Sequence, residues 1–443
     1  LKIEHKSSIQ NKFIAPPLAS VSPTEVIFTG ANWDVEQTVT ITGIPRDVNS
    51  GIIYDTNTQW VFNSFNAGSV YNTQTNSGID TTGKIHIWGH WGIRENIITS
   101  DTNTRYNKQF IDLVHSPLTI VGIAEDGNIF CFRDATMHQE GKDFVNKFSS
   151  SNSVKMPPTQ SDVINYGPIV YVATGMGGSG GGRVIGAAAC IFKGIGGNNI
   201  GRIHAWGEIG WGGEGPSSVQ PQDGYIQIVG NYGCMCALHN SGIIVTWGRG
   251  VNGKNDSPSG NNFISICASF RGFSALRSDG TVISWGTEDW PARTNGEPHP
   301  TDNGYIAIIS TYSSFLGVKE DGSLRGWGAP SNYEGIPSGK IFKKIVGSSG
   351  GYSGLDINGE LYSWGQPGYH ANGPPSGSDF IDIFSGGGAY VAYDKEGKMH
   401  CWGVNDFTGR EHNAYDWRSG AILAGGGGPT ADIPTESGYV YAV

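Results

Sequence analysis

The chain of 443 residues carries a formal net charge of −10, and only 15% of its residues are charged. That balance lacks the basic field needed for bulk nucleic-acid or anionic-membrane binding. Low charge beside 11% aromatic residues also excludes a disordered chain. Gly reaches 68 of 443, about double the usual share of roughly 7%, which suits short strands joined by tight turns. No run of 18 or more apolar residues occurs, so no membrane insertion is expected. The sequence begins at Leu1 rather than Met. We take it as a processed product or a piece of a longer chain, from which a signal peptide would already be gone.

Residues 1–50 form a first, β-rich segment. Ser22 to Thr29 predicts a strand after a Pro turn, and Gln37 to Gly43 predicts a second with strict alternation. Two strands are marginal alone, so the segment is expected to be the end of a sandwich-like module. The phrase from Ser22 to Gly43 resembles the closing strands of Calx-β-like modules of bacterial surface proteins, which implies an exported protein. Residues 51–82 are rich in Asn, Thr, Ser and Gly and predict a linker or closing strand.

From Gly83 to Val443 one phrase returns: a Gly-led turn, then an alternating strand ending in Trp-Gly. Copies are Asp279 to Gly286, Asn358 to Gly365, Glu396 to Gly403, Asp321 to Gly328, Ser241 to Gly248, Gly201 to Gly207 and Gly83 to Gly89. From Trp206 onward the Trp-to-Trp spacings are 41, 38, 42, 37 and 38 residues. A period near forty with several strand signals per repeat means a propeller or a solenoid array. Two apolar runs precede each Trp strand, as in Phe263 to Cys267 and Gly272 to Leu276, and a polar loop follows it. Phe132 stands in the Trp place of one further repeat, and the C-terminal Ser437 to Val443 reads as one more strand that pairs with an N-terminal one to close a ring. Insertions interrupt the period near 133–165, polar and ending in a Pro-Pro turn, and near 174–201, which is saturated with Gly.

The Asp-Gly turn, the Trp-Gly ending, the small residues before the second strand and the loop Asn405 to Gly409 resemble the RCC1 repeat family in its divergent bacterial or phage form. The resemblance implies an all-β, RCC1-like β-propeller with four-stranded blades. Family precedent gives about seven blades, and counting strand endings makes eight the alternative. A blade buried on both faces needs large rings interlocked with bare glycines.

Six cysteines lie mostly in strand-like runs and read as buried free thiols. Cys234 and Cys236 alternate, so both face one side. No zinc-like spacing of Cys or His occurs, and no cofactor or metal is expected. The Gly-rich run lacks the Gly-Lys-Ser/Thr of a phosphate loop. No nucleophile elbow or triad stands out, so no catalytic residue is assigned. His204 and His400, in Trp strands, read as packing, and Glu208, Glu214, Glu288, Asp289, Glu334 and Asp406 read as a solvated rim.

Candidate binding residues follow from what departs from the repeat. Aromatics recur five or six residues after five of the repeat Trp: Trp211, Trp290, Tyr333, Tyr369 with its neighbour His370, and Phe407. They serve either blade packing or the anchoring of a partner. In the Gly-rich insertion Gly177, Gly178, Ser179 and Arg183 are candidates for contact. The expected function is a non-enzymatic binding scaffold outside a cell or on a virion, adhesin or tail-fibre-like. It would present loops to a protein or glycan partner, in some cases within a larger assembly. Family precedent offers guanine-nucleotide exchange as an alternative. A propeller glycan hydrolase or lyase is another, since fold alone does not decide function.

Overall fold

The computed structural model describes residues 19–22, 40–43, 75–80, 85–89, 109–116 and 119–133. It also describes 154–403 except 156, 176–177, 181–182, 186, 251–252, 254–256, 271, 287–297, 368–372, 386–388 and 396–397, then 414–416, 421–423 and 439–442. Apart from helix α1 (Gln160–Tyr166) and short turns, the regular structure among these residues is β.

Eight antiparallel sheets follow one another. The first holds Thr75–Asp80 and Ile85–Gly89 with the C-terminal strand Tyr439–Ala442. The second holds Phe110–Ser116, Thr119–Ala124 and Ile129–Arg133. The third holds Ile169–Thr174, Ala187–Phe192 and Arg202–Glu208, with Val154–Lys155 added outside the last. The fourth is Tyr225–Gly230, Cys234–His239 and Ile244–Gly248. The fifth is Phe263–Ala268, Gly272–Arg277 and Val282–Gly286. The sixth is Tyr305–Ser310, Ser314–Lys319 and Leu324–Gly328. The seventh is Phe342–Gly347, Gly351–Asp356 and Leu361–Gly365. The eighth is Phe380–Ser385, Ala389–Asp394 and Met399–Gly403. From the third sheet to the eighth, the first strand of each sheet meets the first strand of the next.

The last strand pairs the chain's end with Thr75–Asp80, the strand before the first Trp strand. Gly78 opposes Ala442, and Ile79 opposes Tyr441. Tyr439–Ala442 therefore takes the first-strand place in a sheet whose other two strands come from the start of the repeat region. The result is a β-propeller of eight sheets. That is the number obtained from strand endings, one more than family precedent supplies.

The resemblance also implies four strands per blade. Only the third sheet has a fourth among the described residues. The segment after Trp327 shows why an outer strand does not form there. Pro330–Asn332 is a 3-10 turn, and Pro lacks the amide that a ladder requires.

Each Trp sits opposite a partner on the middle strand: Met235 and Trp247, Phe273 and Trp285, Phe315 and Trp327, Tyr352 and Trp364, Tyr390 and Trp402. The ring pairs lie 5.5 to 5.9 Å apart at low interplanar angles. These five Trp and their partners are buried, which is how directly opposed pairs stabilise a sheet. The first strands carry a register shift after their opening residue in the second and fourth to eighth sheets. A bulge in the same place increases the local twist.

Backbone bonds also stitch sheet to sheet. Ile169, Tyr225, Phe263, Tyr305 and Phe380 donate their N–H to Gly127, Gly201, Gly242, Gly280 and Gly359, at 3.0, 3.0, 3.2, 3.0 and 3.3 Å. Gly280 shows why the turn is Gly. Its φ is 78°, and a Cβ there would lie 2.9 Å from the Gly304 nitrogen.

The N-terminal pair differs from expectation in its bounds. The first strand is Ala19–Ser22 and the second Thr40–Gly43, paired antiparallel. Residues 23–39 lie outside the described residues. Cys190, Cys234, Cys236, Cys267 and Cys401 are buried free thiols. Cys234 and Cys236 pack in one cluster, as their alternation predicts.

Candidate functional site

Three residues separate the first and middle strands of the fourth to seventh sheets, the first of them being Asn231, Ser269, Thr311 and Ser348. The first residue of each turn donates its N–H three residues ahead, to Cys234, Gly272, Ser314 and Gly351, at 2.8 to 2.9 Å. Its polar side chain is buried. Asn231 Oδ1 also accepts the N–H groups of Gly233 (3.2 Å) and Cys234 (2.9 Å), an Asx turn.

The middle position of three of these turns is aromatic, and there the turns bond to one another. The Tyr232 N–H donates to Phe270 O, and the Phe270 N–H to Tyr312 O, both at 2.9 Å. The rings follow the backbone. Phe270 stacks on Tyr312 with centroids 4.4 Å apart, Tyr232 lies 4.8 Å from Phe270, and Trp211 meets Tyr232 edge-on at 5.4 Å. The Arg249 guanidinium carbon sits 4.8 Å from the Trp211 ring centroid, within cation–π range. Tyr232, Tyr312 and Trp211 are half-buried, while Phe270 is buried. One propeller end therefore carries a continuous row of four rings with a cation at its head.

The third sheet breaks the turn pattern at the head of this row. Where its neighbours use three residues, residues 175–186 stand between Ile169–Thr174 and Ala187–Phe192. They include the hairpin Gly178–Gly180 with Arg183–Ile185. Its root lies beside the Asn231 turn: a Cβ on Gly175 would be 3.2 Å from Asn231 O and 3.3 Å from the Met235 sulfur. The Trp211 loop reaches the same place. Trp247 Nε1 donates to Gly212 O at 2.7 Å, and a Cβ on Gly212 would lie 2.6 Å from Met235 Cγ. The Glu208 carbonyl anchors the loop by accepting the N–H groups of Trp211 (3.1 Å) and Gly213 (3.0 Å). Burial raises the Glu208 carboxyl above its ordinary pKa.

Of the residues predicted from sequence, Gly178, Ser179 and Arg183 lie in the hairpin whose root at Gly175 is beside Met235, the residue that the Trp211 loop also reaches through Gly212. Tyr333 is elsewhere and packs inside a blade: a Cβ on Gly326 would lie 2.2 Å from Tyr333 Cγ, and Tyr333 packs against the cluster holding Trp364. Trp290, Tyr369, His370, Phe407 and Gly177 lie outside the described residues. Tyr232, Phe270 and Tyr312 escaped the sequence reading, which attended to the loops after each Trp. The signal was present as an aromatic second in the short turn between the two apolar runs. His204, read as packing, lies 6.4 Å from the Trp206 ring centroid and also lines a cleft. Among the described residues no group of three or more His, Cys, Asp or Glu has a geometry for a metal ion. No helix among them is long and apolar enough to cross a membrane.

No protein-family model matches the sequence, and no curated protein does. Solved structures resemble it at low identity. The ectodomain of the Physcomitrella patens receptor kinase CR4 is 19% identical with a TM-score of 0.40, covering 53% of this chain and 63% of that one. The chain thus spans less than two thirds of that ectodomain. Prp20p from Saccharomyces cerevisiae, whose binding to Gsp1p and histones was described with its structure, is 13% identical with a TM-score of 0.40, covering 82% and 84%. Human WBSCR16 is 15% identical with a TM-score of 0.34, covering 54% and 77%. The Calx-β resemblance of Ser22 to Gly43 finds no support among these.

Proposed function

We propose that this chain is a non-enzymatic binding scaffold that works outside a cell or on a virion. Its contact face is the propeller end bearing the Gly178–Ile185 hairpin and the Trp211–Tyr232–Phe270–Tyr312 row, and its partner is a protein or glycan surface. The observation that carries the reading is the coincidence of two departures from the repeat. A twelve-residue insertion replaces a three-residue turn at the head of a row of rings that crosses from sheet to sheet. Insertions in repeat proteins collect on the binding face, and aromatic and Arg side chains dominate binding energy where they are anchored. The row is rigid because its turns are bonded backbone to backbone, so little ordering entropy is lost on contact.

Glycan-array and cell-surface binding by the full chain tests this. Two variants are compared with it: one with residues 175–186 replaced by a three-residue turn, and Tyr232→Ala with Tyr312→Ala. Binding by the parent and at least tenfold weaker binding by both variants is expected. Equal binding by all three places the contact elsewhere. Failure to bind anything, together with accelerated nucleotide release from a small GTPase, replaces the reading with nucleotide exchange.

A further inference from the structure

The third sheet holds a second feature, on its outer edge rather than its turn end. Val154–Lys155 pairs only with the end of the Trp strand, Lys155 opposite Gly207. The chain then turns into α1, which continues along the same edge. Asp162 lies near His204, and Tyr166 packs on Phe192 at 5.4 Å and beneath Arg202 at 4.7 Å. Between α1, residues 202–205 of the Trp strand and the loop 214–222 a cleft of ≈ 190 Å³ remains. That is below the roughly 300–1,000 Å³ of sites for drug-sized ligands and suits one sugar ring.

The polar groups of the cleft divide by role. Arg202 is committed: it stacks on Tyr166 and pairs with Asp223 at 3.4 Å. Glu214 is fixed, its Oε2 accepting the N–H groups of Gly210 (3.0 Å) and Gly212 (3.2 Å). Asp162 is held by the Thr159 N–H and hydroxyl, both at 2.7 Å. Both carboxylates are thus oriented acceptors for hydroxyl groups. Lys155 differs. Its ammonium reaches into the cleft beside Gly215, and among the described residues Asp162 and Glu214 act on it electrostatically without an ion pair forming. Pro216, Pro221 and the Tyr166 ring supply apolar wall.

We propose that this cleft binds a single carboxylated sugar ring, a hexuronic acid, with the ligand carboxylate on Lys155 and its hydroxyls on Asp162 and Glu214. A ligand carboxylate can make the direct ion pair with the ammonium that Asp162 and Glu214 do not make. A phosphate dianion meets two fixed carboxylates and is disfavoured. A neutral hexose fills the space but offers Lys155 no direct ion pair. Partial burial lowers the Lys155 pKa, so the ammonium gains from a bound anion. The site shares the loop that carries Trp211 with the turn-end face, through Glu214, but uses no residue of 175–186.

The test is a titration of the full chain with D-galacturonate and D-glucuronate, against galactose, glucose and inorganic phosphate, read by calorimetry and by backbone amide shifts. At least one uronate is expected to bind with a Kd of about 1 mM and to shift the amides of 202–205 and 214–222. The hexoses and phosphate should bind at least tenfold more weakly. Lys155→Gln should lose at least tenfold while its thermal unfolding stays within two degrees of the parent, and replacing 175–186 should change nothing. Absence of uronate binding overturns the proposal. So does equal binding of hexose or phosphate, or a Lys155→Gln variant that binds as the parent does.

Discussion

At the scale of single residues, the Trp of the repeat is a packing ring, and in two sheets it is also a donor to the residue before the Trp of the preceding sheet. Trp327 Nε1 donates to Ser284 Oγ and Trp402 Nε1 to Ser363 Oγ, each at 2.9 Å, one sheet back. Both acceptors pass the bond on, Ser284 Oγ to Ser274 Oγ and Ser363 Oγ to Ser353 Oγ. Trp364 Nε1 is buried with no partner. The equivalent residue one sheet back is Gly326, which has no hydroxyl, and the Tyr333 ring occupies the space its side chain would need. Gly326→Ala should therefore destabilise by about 1–3 kcal/mol, the cost of overpacking. The penalty should shrink to a few tenths when Tyr333→Ala is present. Urea unfolding of the four members of that cycle checks it, and additive losses would count against it. Lys344 is a second special residue. Its ammonium is fully buried 2.6 Å from Asp382 and 4.4 Å from the Phe384 ring centroid. Asp382→Ala leaves that charge without the carboxylate and should cost about 3–5 kcal/mol. Adding Lys344→Met should return most of the loss, again read by urea unfolding.

At the scale of elements, what the sequence shows is periodic, and what it hides is local. Trp-to-Trp spacing, the Gly turn and the alternating Trp strand are periodic, and all are legible because every blade must meet the same neighbour. Helix α1 is local. It was absent from the reading of 133–165, although Thr159-Gln160-Ser161-Asp162 spells a capping box, which the structure confirms. With seven residues and no fully buried side chain, the helix has no long apolar stripe to betray it. Tyr232, Phe270 and Tyr312 were missed for a related reason. Their neighbourhood is made by three sheets meeting, which linear spacing does not report. The cap makes α1 sensitive to acid. Burial alone would raise the Asp162 pKa, but the Thr159 bonds and the nearby His204 and Lys155 outweigh it and hold it below its ordinary value. A depressed folded pKa means the carboxylate contributes stability above its unfolded pKa, near 3.8, and loses it as pH falls through the lower folded value. Thr159→Ala should cost about 1 kcal/mol locally and move the Asp162 titration upward. Carboxyl carbon shifts against pH, with amide exchange in 160–166, measure both effects. An unchanged Asp162 titration would show that Thr159 does not set it.

At the scale of the whole molecule, closure rests on four residues. Tyr439–Ala442 supplies the first-strand place of the first sheet, pairing with Thr75–Asp80. Removing 439–443 leaves a strand edge with unpaired N–H and C=O groups, which templates pairing with another chain. It also turns a closed ring into an open array with two uncapped ends, where stability becomes a sum over neighbours rather than one cooperative unit. The truncated chain should therefore lose amide protection first in 75–80 and 85–89, unfold over a broader temperature range, and associate as concentration rises. Light scattering across a tenfold dilution and residue-resolved exchange separate these effects. A synthetic peptide spanning 435–443, added in excess, should restore protection to 75–80 and return the protein to a monomer, because the missing strand makes its bonds through the backbone. If the truncated chain stayed monomeric with a sharp transition, the ring would be held by sheet-to-sheet packing alone, and the terminal pairing would be incidental to closure.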